Sequence, residues 1–76
     1  MRLLLVEDDL QIASFITKGL RQAGFAVDHA ADGEDGLGLA LNEPYDAAII
    51  DIMLPKLNGL ALIEELRRKK TDTPVI

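Results

Sequence analysis

The sequence predicts an α/β domain built on a parallel sheet, and three observations carry that prediction. Short apolar runs alternate with longer stretches whose apolar residues recur at helical spacing. The runs Leu3-Leu4-Leu5-Val6 and Ala47-Ala48-Ile49-Ile50 are apolar at every position, as suits strands covered on both faces. The order is strand, helix, strand, helix, strand, helix and the start of a fourth strand, an alternation that favours parallel pairing with crossovers. All 76 residues fit one small domain, 1–76, without linkers, repeats or low-complexity segments.

The elements follow in order. Residues 2–6 form the first strand, which stops abruptly at Glu7-Asp8-Asp9. Asp9 is a good N-cap for a helix in which Ile12, Ile16, Leu20 and Ala23 make one stripe. Ser14, Thr17, Lys18 and Arg21 fall on its other side, and Gly24 stands where a C-cap is expected. Residues 25–30 alternate large apolar with smaller or polar side chains and read as the second strand. Asp32-Gly33 is a turn signal, with Asp32 a cap for a helix reaching to about Asn42 and Leu37, Ala40 and Leu41 as its core face. Gly36 and Gly38 each cost about 1 kcal/mol against alanine, which makes this the weakest helix.

Glu43-Pro44 ends that helix, and residues 47–50 form a third strand that closes at Asp51. A loop over residues 52–58 leads to a helix over residues 60–70, with Leu62, Ile63 and Leu66 facing inward. Glu64 with Arg68 and Glu65 with Lys69 are i,i+4 pairs in the favourable orientation. Pro74-Val75-Ile76 opens a fourth strand.

Composition narrows the function. With no cysteine there is neither a disulfide framework nor a thiolate metal site, and a 49% hydrophobic chain is too apolar for intrinsic disorder. A net charge of -5 argues against general binding to nucleic-acid phosphates. The basic run Arg67-Arg68-Lys69-Lys70 reads as the solvated last turn of a helix, where cations suit the dipole. No stretch is long and apolar enough for a membrane span or a signal-peptide core, so the chain reads as cytoplasmic.

The acids carry the chemistry. Glu7 and Asp8 follow the first strand and Asp51 follows the third. In doubly wound sheets ligands bind beyond the carboxyl ends of the strands. If those two strands are neighbours, Asp8 and Asp51 meet there from positions 43 apart. Acids also end strands and cap helices, as Asp9 does, but three directly after apolar strands are harder to explain that way. Crowded carboxylates raise one another's pKa unless a cation sits among them, and an all-oxygen set suits a hard ion such as Mg2+.

Leu4-Leu5-Val6-Glu7-Asp8-Asp9, together with Asp51-Ile52-Met53-Leu54-Pro55-Lys56-Leu57-Asn58-Gly59, resembles the receiver domain of two-component response regulators, in particular the OmpR/PhoB type. The resemblance spans the whole chain, including Ala23-Gly24-Phe25 before the second strand. It implies a flavodoxin-like doubly wound sheet with strand order 2-1-3-4, in a receiver truncated at the start of the fourth strand. It further implies that Asp51 is the phosphoacceptor for a sensor histidine kinase and that Asp8 and Asp51 ligate Mg2+ directly. Glu7 would hold a metal-bound water, the Met53 backbone carbonyl would complete the protein ligands, and Pro55 and Gly59 would shape the loop beside the acceptor. Phe15 lies on the flank of the first helix's apolar stripe and reads as the edge of the core, though the family's kinases dock on that helix.

A whole receiver has five strands, with a hydroxyl residue ending the fourth and a lysine ending the fifth, and here both would lie beyond Ile76. Two readings follow. In one, the chain is a phosphoacceptor module rather than a stand-alone enzyme, serving a parent protein that controls a DNA-binding effector. In the other it is an assembly module whose open sheet edge, or swapped C-terminal segment, pairs with a second copy as a homodimer. Gly33, Gly36 and Gly38 lack the spacing of a dinucleotide loop, and Asp51-Ile52-Met53 lacks the second aspartate of a dehalogenase-like phosphatase. His29 reads as a strand-end side chain rather than a ligand.

Overall fold

The structure is a computed structural model that describes residues 1–69 and 72–76. Its elements are β1 (Arg2–Val6), α1 (Leu10–Gln22), β2 (Ala26–Ala30), α2 (Gly33–Asn42), β3 (Ala47–Ile50) and α3 (Gly59–Arg68). The three strands are parallel in the order β2-β1-β3. Val75 makes a parallel bridge to Ala48, with Ala48 N–H donating to the Pro74 carbonyl and Ile76 N–H to the Ala48 carbonyl, each at 2.8 Å. The expected fourth strand is represented by this isolated bridge beside β3, and the sheet itself has the order 2-1-3.

The sheet separates two unequal cores. Leu4, Val6, Ala48 and Ile50 pack with Ala40, Leu62 and Leu66 beneath α2 and α3. Leu5 and Val27 pack with Ala13 of α1 on the other side, joined by Ile16, Leu20, Phe25 and Ile49. Leu4, Leu5 and Val6 are fully buried, which accounts for the unbroken apolar run.

The helix termini match their chemistry. The Asp9 carboxylate accepts from the N–H groups of Gln11 and Ile12, and the Asp32 carboxylate from Asp35 N–H. Gly24 follows α1 with φ +94. Its N–H donates to Arg21 and that of Phe25 to Leu20, the two bonds of a Schellman ending. Asn58 caps α3 by accepting from Ala61 N–H.

Three expectations need correcting. The buried stripe of α1 is Ala13, flanked by half-buried Ile16, Thr17 and Leu20, while Ile12 is 48% exposed and Ala23 is exposed. The short Ala13 side chain, rather than the bulkier Ile12, packs on the sheet. In α2 the inner face is Gly33, Gly36 and Ala40, Leu37 is only half-buried and Leu41 is exposed. A Cβ on Gly36 would come within 2.8 and 2.9 Å of the Val6 methyls, so this glycine admits close helix–sheet packing. On α3, Arg68 pairs with Glu65 at 2.6 Å, one turn position short of the Glu64 pairing that spacing predicts. The predicted helix end at Lys70 lies outside the described residues.

Candidate metal and phosphoryl site

Strand register builds the site. Val6 pairs with Ile50 across β1 and β3, so the next residues, Glu7 and Asp51, leave the sheet side by side. Asp51 N–H donates to the Val6 carbonyl and Glu7 N–H to the Ala30 carbonyl, each at 3.0 Å, which holds both backbones at the sheet's carboxyl edge. Glu7, Asp8 and Asp51 each offer a carboxylate oxygen, and these atoms lie within 4.8 Å of one another. Glu7 and Asp51 are half-buried and Asp8 is exposed.

Partial burial pushes the Glu7 carboxyl above the usual carboxylate range, and the neighbouring charges of Asp51 and Asp8 push the same way. The Asp9 N–H, 3.3 Å from Glu7 Oε1, opposes the shift. Three oxygens with no nitrogen or sulfur donor suit Mg2+. Opposite ligands of an octahedral Mg2+ are about 4.2 Å apart, and the ion keeps several waters, so the observed spread accommodates one with slight contraction or a bridging water.

The loop after Asp51 is held closely. Met53 N–H donates to Asp51 Oδ1 at 3.2 Å, which orients the carboxylate and fixes the Met53 backbone beside it. The Met53 side chain itself is 82% exposed. Leu54 is buried, and the Pro55 carbonyl accepts from Leu57 N–H at 2.8 Å and from Gly33 N–H at 3.3 Å. Gly59 N–H donates to the Ile52 carbonyl at 2.8 Å, and a Cβ there would strike the Asp51 carbonyl. Pro55 and Gly59 thus each make backbone contacts in the segment that follows Asp51. A groove lined by Asp8, Ile52, Met53, Pro55 and Leu60 leads to the acids.

Sequence reasoning missed what lies on the far side of this loop. Lys56 takes φ +68, a left-handed backbone that costs a side-chain-bearing residue roughly 1 kcal/mol, and places its ammonium 3.5 Å from Asp32. Asp32 and Gly33 gave a turn and cap signal only, and no local pattern shows that Leu57 will meet Gly33. Phe15 is not at the edge of the core as expected: it is 81% exposed on α1, beside a shallow groove lined by Leu10, Gln11, Ser14 and Lys18. His29 Nε2 lies 2.8 Å from the Glu7 carbonyl, an acceptor, so that nitrogen carries the proton.

A three-layer parallel domain with clustered acids at the carboxyl edge of its sheet defines a class, and comparison with known proteins identifies it. Residues 3–76 match the family described as the response regulator receiver domain, and the chain belongs to that family. It is 46% identical over its full length to the probable transcriptional regulatory protein SilR of Salmonella typhimurium, and 45% identical to HprR of Escherichia coli K12. It spans 33% and 34% of those relatives' lengths, respectively.

Among solved structures, a Francisella response regulator receiver domain superposes with a TM-score of 0.95 at 36% identity, covering 97% of this chain and 61% of that one. TrrA of Thermotoga maritima, solved in complex with Mg2+ and BeF, gives 0.91 at 34% identity, covering 97% and 64%. TrrA solved with the histidine kinase ThkA gives 0.89 over the same shares. The resemblance read from the two acidic motifs is thereby borne out, as are the fold and its strand order. No helix among the described residues is long and apolar enough to cross a membrane.

Proposed function

We propose that this chain is the Mg2+-dependent phosphoacceptor of a two-component phosphorelay, receiving a phosphoryl group on Asp51 from a sensor histidine kinase. The observation that carries the reading is the meeting of Glu7, Asp8 and Asp51 within 4.8 Å beside a loop fastened to the Asp51 carboxylate. Asp8 and Asp51 would hold the ion directly, Glu7 through a water, and the Met53 carbonyl would complete the protein set. Bound Mg2+ supplies positive charge that keeps the acceptor ionised and neutralises the phosphoryl oxygens.

The chain's own residues position the nucleophile. The Met53 N–H holds Oδ1 of Asp51 and thereby sets the plane of the carboxylate. A carboxylate oxygen forms the new O–P bond as the N–P bond to the kinase imidazole breaks, and the bonding pair returns to that nitrogen. Positioning and charge, more than proton transfer, govern such a step. The TrrA–ThkA complex supports a kinase partner, and exposed Phe15 on α1 is the contact we assign to it. The names of the relatives support a parent protein that regulates transcription, and this reading places the chain in the cytoplasm.

Incubation with acetyl phosphate and Mg2+ tests the assignment. Mass spectrometry should show a gain of one phosphoryl group that Asp51→Asn abolishes. A gain that survives this substitution, or no gain in a chain folded by circular dichroism, overturns it.

A further inference from the structure

We infer that the N-terminus of α2 is the platform that positions the loop beside Asp51, with Gly33 and the Asp32–Lys56 pair as its positioning residues. The inference deepens the reading of Asp51 as phosphoacceptor and rests on it. Residues 52–58 connect the carboxylate to α3, and the bond from Gly59 N–H to the Ile52 carbonyl closes the two ends of that segment on each other. The middle lies against α2.

Three contacts join them. Gly33 N–H donates to the Pro55 carbonyl at 3.3 Å, and Lys56 Nζ lies 3.5 Å from Asp32 Oδ2. The Leu57 backbone sits so close to Gly33 that a Cβ there would overlap the Leu57 carbonyl. That clash involves backbone, which cannot swing aside as a flexible side-chain tip can. A methyl at position 33 must therefore part α2 from the loop, and we expect the displacement to reach the Met53 N–H that orients Asp51.

The pair adds a second constraint. Lys56 accepts a left-handed backbone, unusual for a residue with a side chain, in the conformation that sets its ammonium beside Asp32. Asp32 is mostly buried and also caps α2 through Asp35 N–H at 2.8 Å. The loop's position is thus read from the same residue that starts the helix.

Gly38 supplies the internal control. It lies in the same helix, and a Cβ there meets nothing within 4 Å. Gly33→Ala and Gly38→Ala are compared by the rate of phosphoryl incorporation from acetyl phosphate, the Mg2+ dissociation constant, and the amide NMR positions of Asp51 and Met53. Gly33→Ala should slow incorporation at least fivefold and move both amide signals in a chain that remains folded, and Gly38→Ala should change neither. Lys56→Met and Asp32→Asn, which keeps a capping oxygen, should each slow incorporation two- to threefold, the double variant no further, and Lys56→Arg should restore the rate.

Equal effects of the two glycine substitutions, or unmoved Asp51 and Met53 signals in Gly33→Ala, overturn the inference. If Gly33→Ala does not fold, Lys56→Met against Lys56→Arg decides by the same readouts. A parent chain that takes up no phosphoryl group overturns the reading of Asp51 instead, and the amide signals still decide the platform.

Discussion

Asp28 gathers the polar contacts that fasten the amino-terminal side of the sheet. Its carboxylate accepts from Tyr45 Oη at 2.7 Å and from Arg2 at 2.6 and 3.1 Å. The Tyr45 bond, followed by that of Arg2, holds the Asp28 carboxyl below its ordinary value of 3.8. Tyr45 shifts oppositely: burial, then its bond to Asp28, pushes the phenol up to about 12. Because the folded Asp28 value lies below the unfolded one, its stabilisation is complete above the unfolded value. It is lost as pH falls from there through the folded value. Urea midpoints measured from about pH 5 down to about pH 2 should fall less steeply in Asp28→Asn than in the parent. Equal slopes would remove this residue from the acid transition. At the acidic edge the shift of Glu7 has the other sign, raised by burial first and then by Asp51 and Asp8, so neutral pH maintains a repulsion that a cation can relieve.

At the scale of elements, β1 and β3 were legible because both faces of each are covered, which demands apolar residues at every position. The caps Asp9 and Asp32 and the stop at Gly24 were legible because each acts on its own backbone neighbours. The facing of the helices was less so. Ile12 and Ala13 are both apolar, and only the docked rotation of α1 on the sheet turns Ala13 inward and leaves Ile12 48% exposed. Likewise Gly36 reads as a weakness in α2 until Val6 is seen against it. Gly36→Ala should therefore destabilise the fold by about 1–3 kcal/mol, since the buried Val6 methyls have nowhere to move. Gly38→Ala, in open space, should stabilise it by up to about 1 kcal/mol. Urea unfolding of the two variants checks both signs. At the site, the acids could be named from two short motifs, but the contact between Gly33 and Leu57 depends on packing across the fold and leaves no local pattern.

For the whole molecule, metal binding and folding are linked. A ligand that binds only the folded chain adds about 2.7 kcal/mol at one hundred times its dissociation constant. In a domain this small, 1 kcal/mol moves the melting temperature by about 4–8 °C. Saturating Mg2+ should thus raise the melting temperature by roughly 10 °C or more, and Asp8→Ala should abolish most of the rise while weakening Mg2+ in calorimetric titration. An unchanged titration would exclude Asp8 as a ligand. The same logic explains how a small chain tolerates three crowded carboxylates: their repulsion is local, and the cores on both sides of the sheet lie behind it.

The network around Arg2 has a broader consequence. Arg2 reaches Asp28 and Glu43, its guanidinium lies 5.3 Å from the Tyr45 ring centre, and its backbone exchanges hydrogen bonds with Asp46. Every one of these ties lies away from the strand ends that carry Glu7 and Asp51. The sheet is therefore clamped by side chains at one margin, while the backbone bonds of Glu7 and Asp51 hold the other, so that small openings around the acids need not spread into unfolding. Such a domain can admit an ion, exchange water and accommodate a docked partner at its reactive rim while its opposite rim keeps the strands in register.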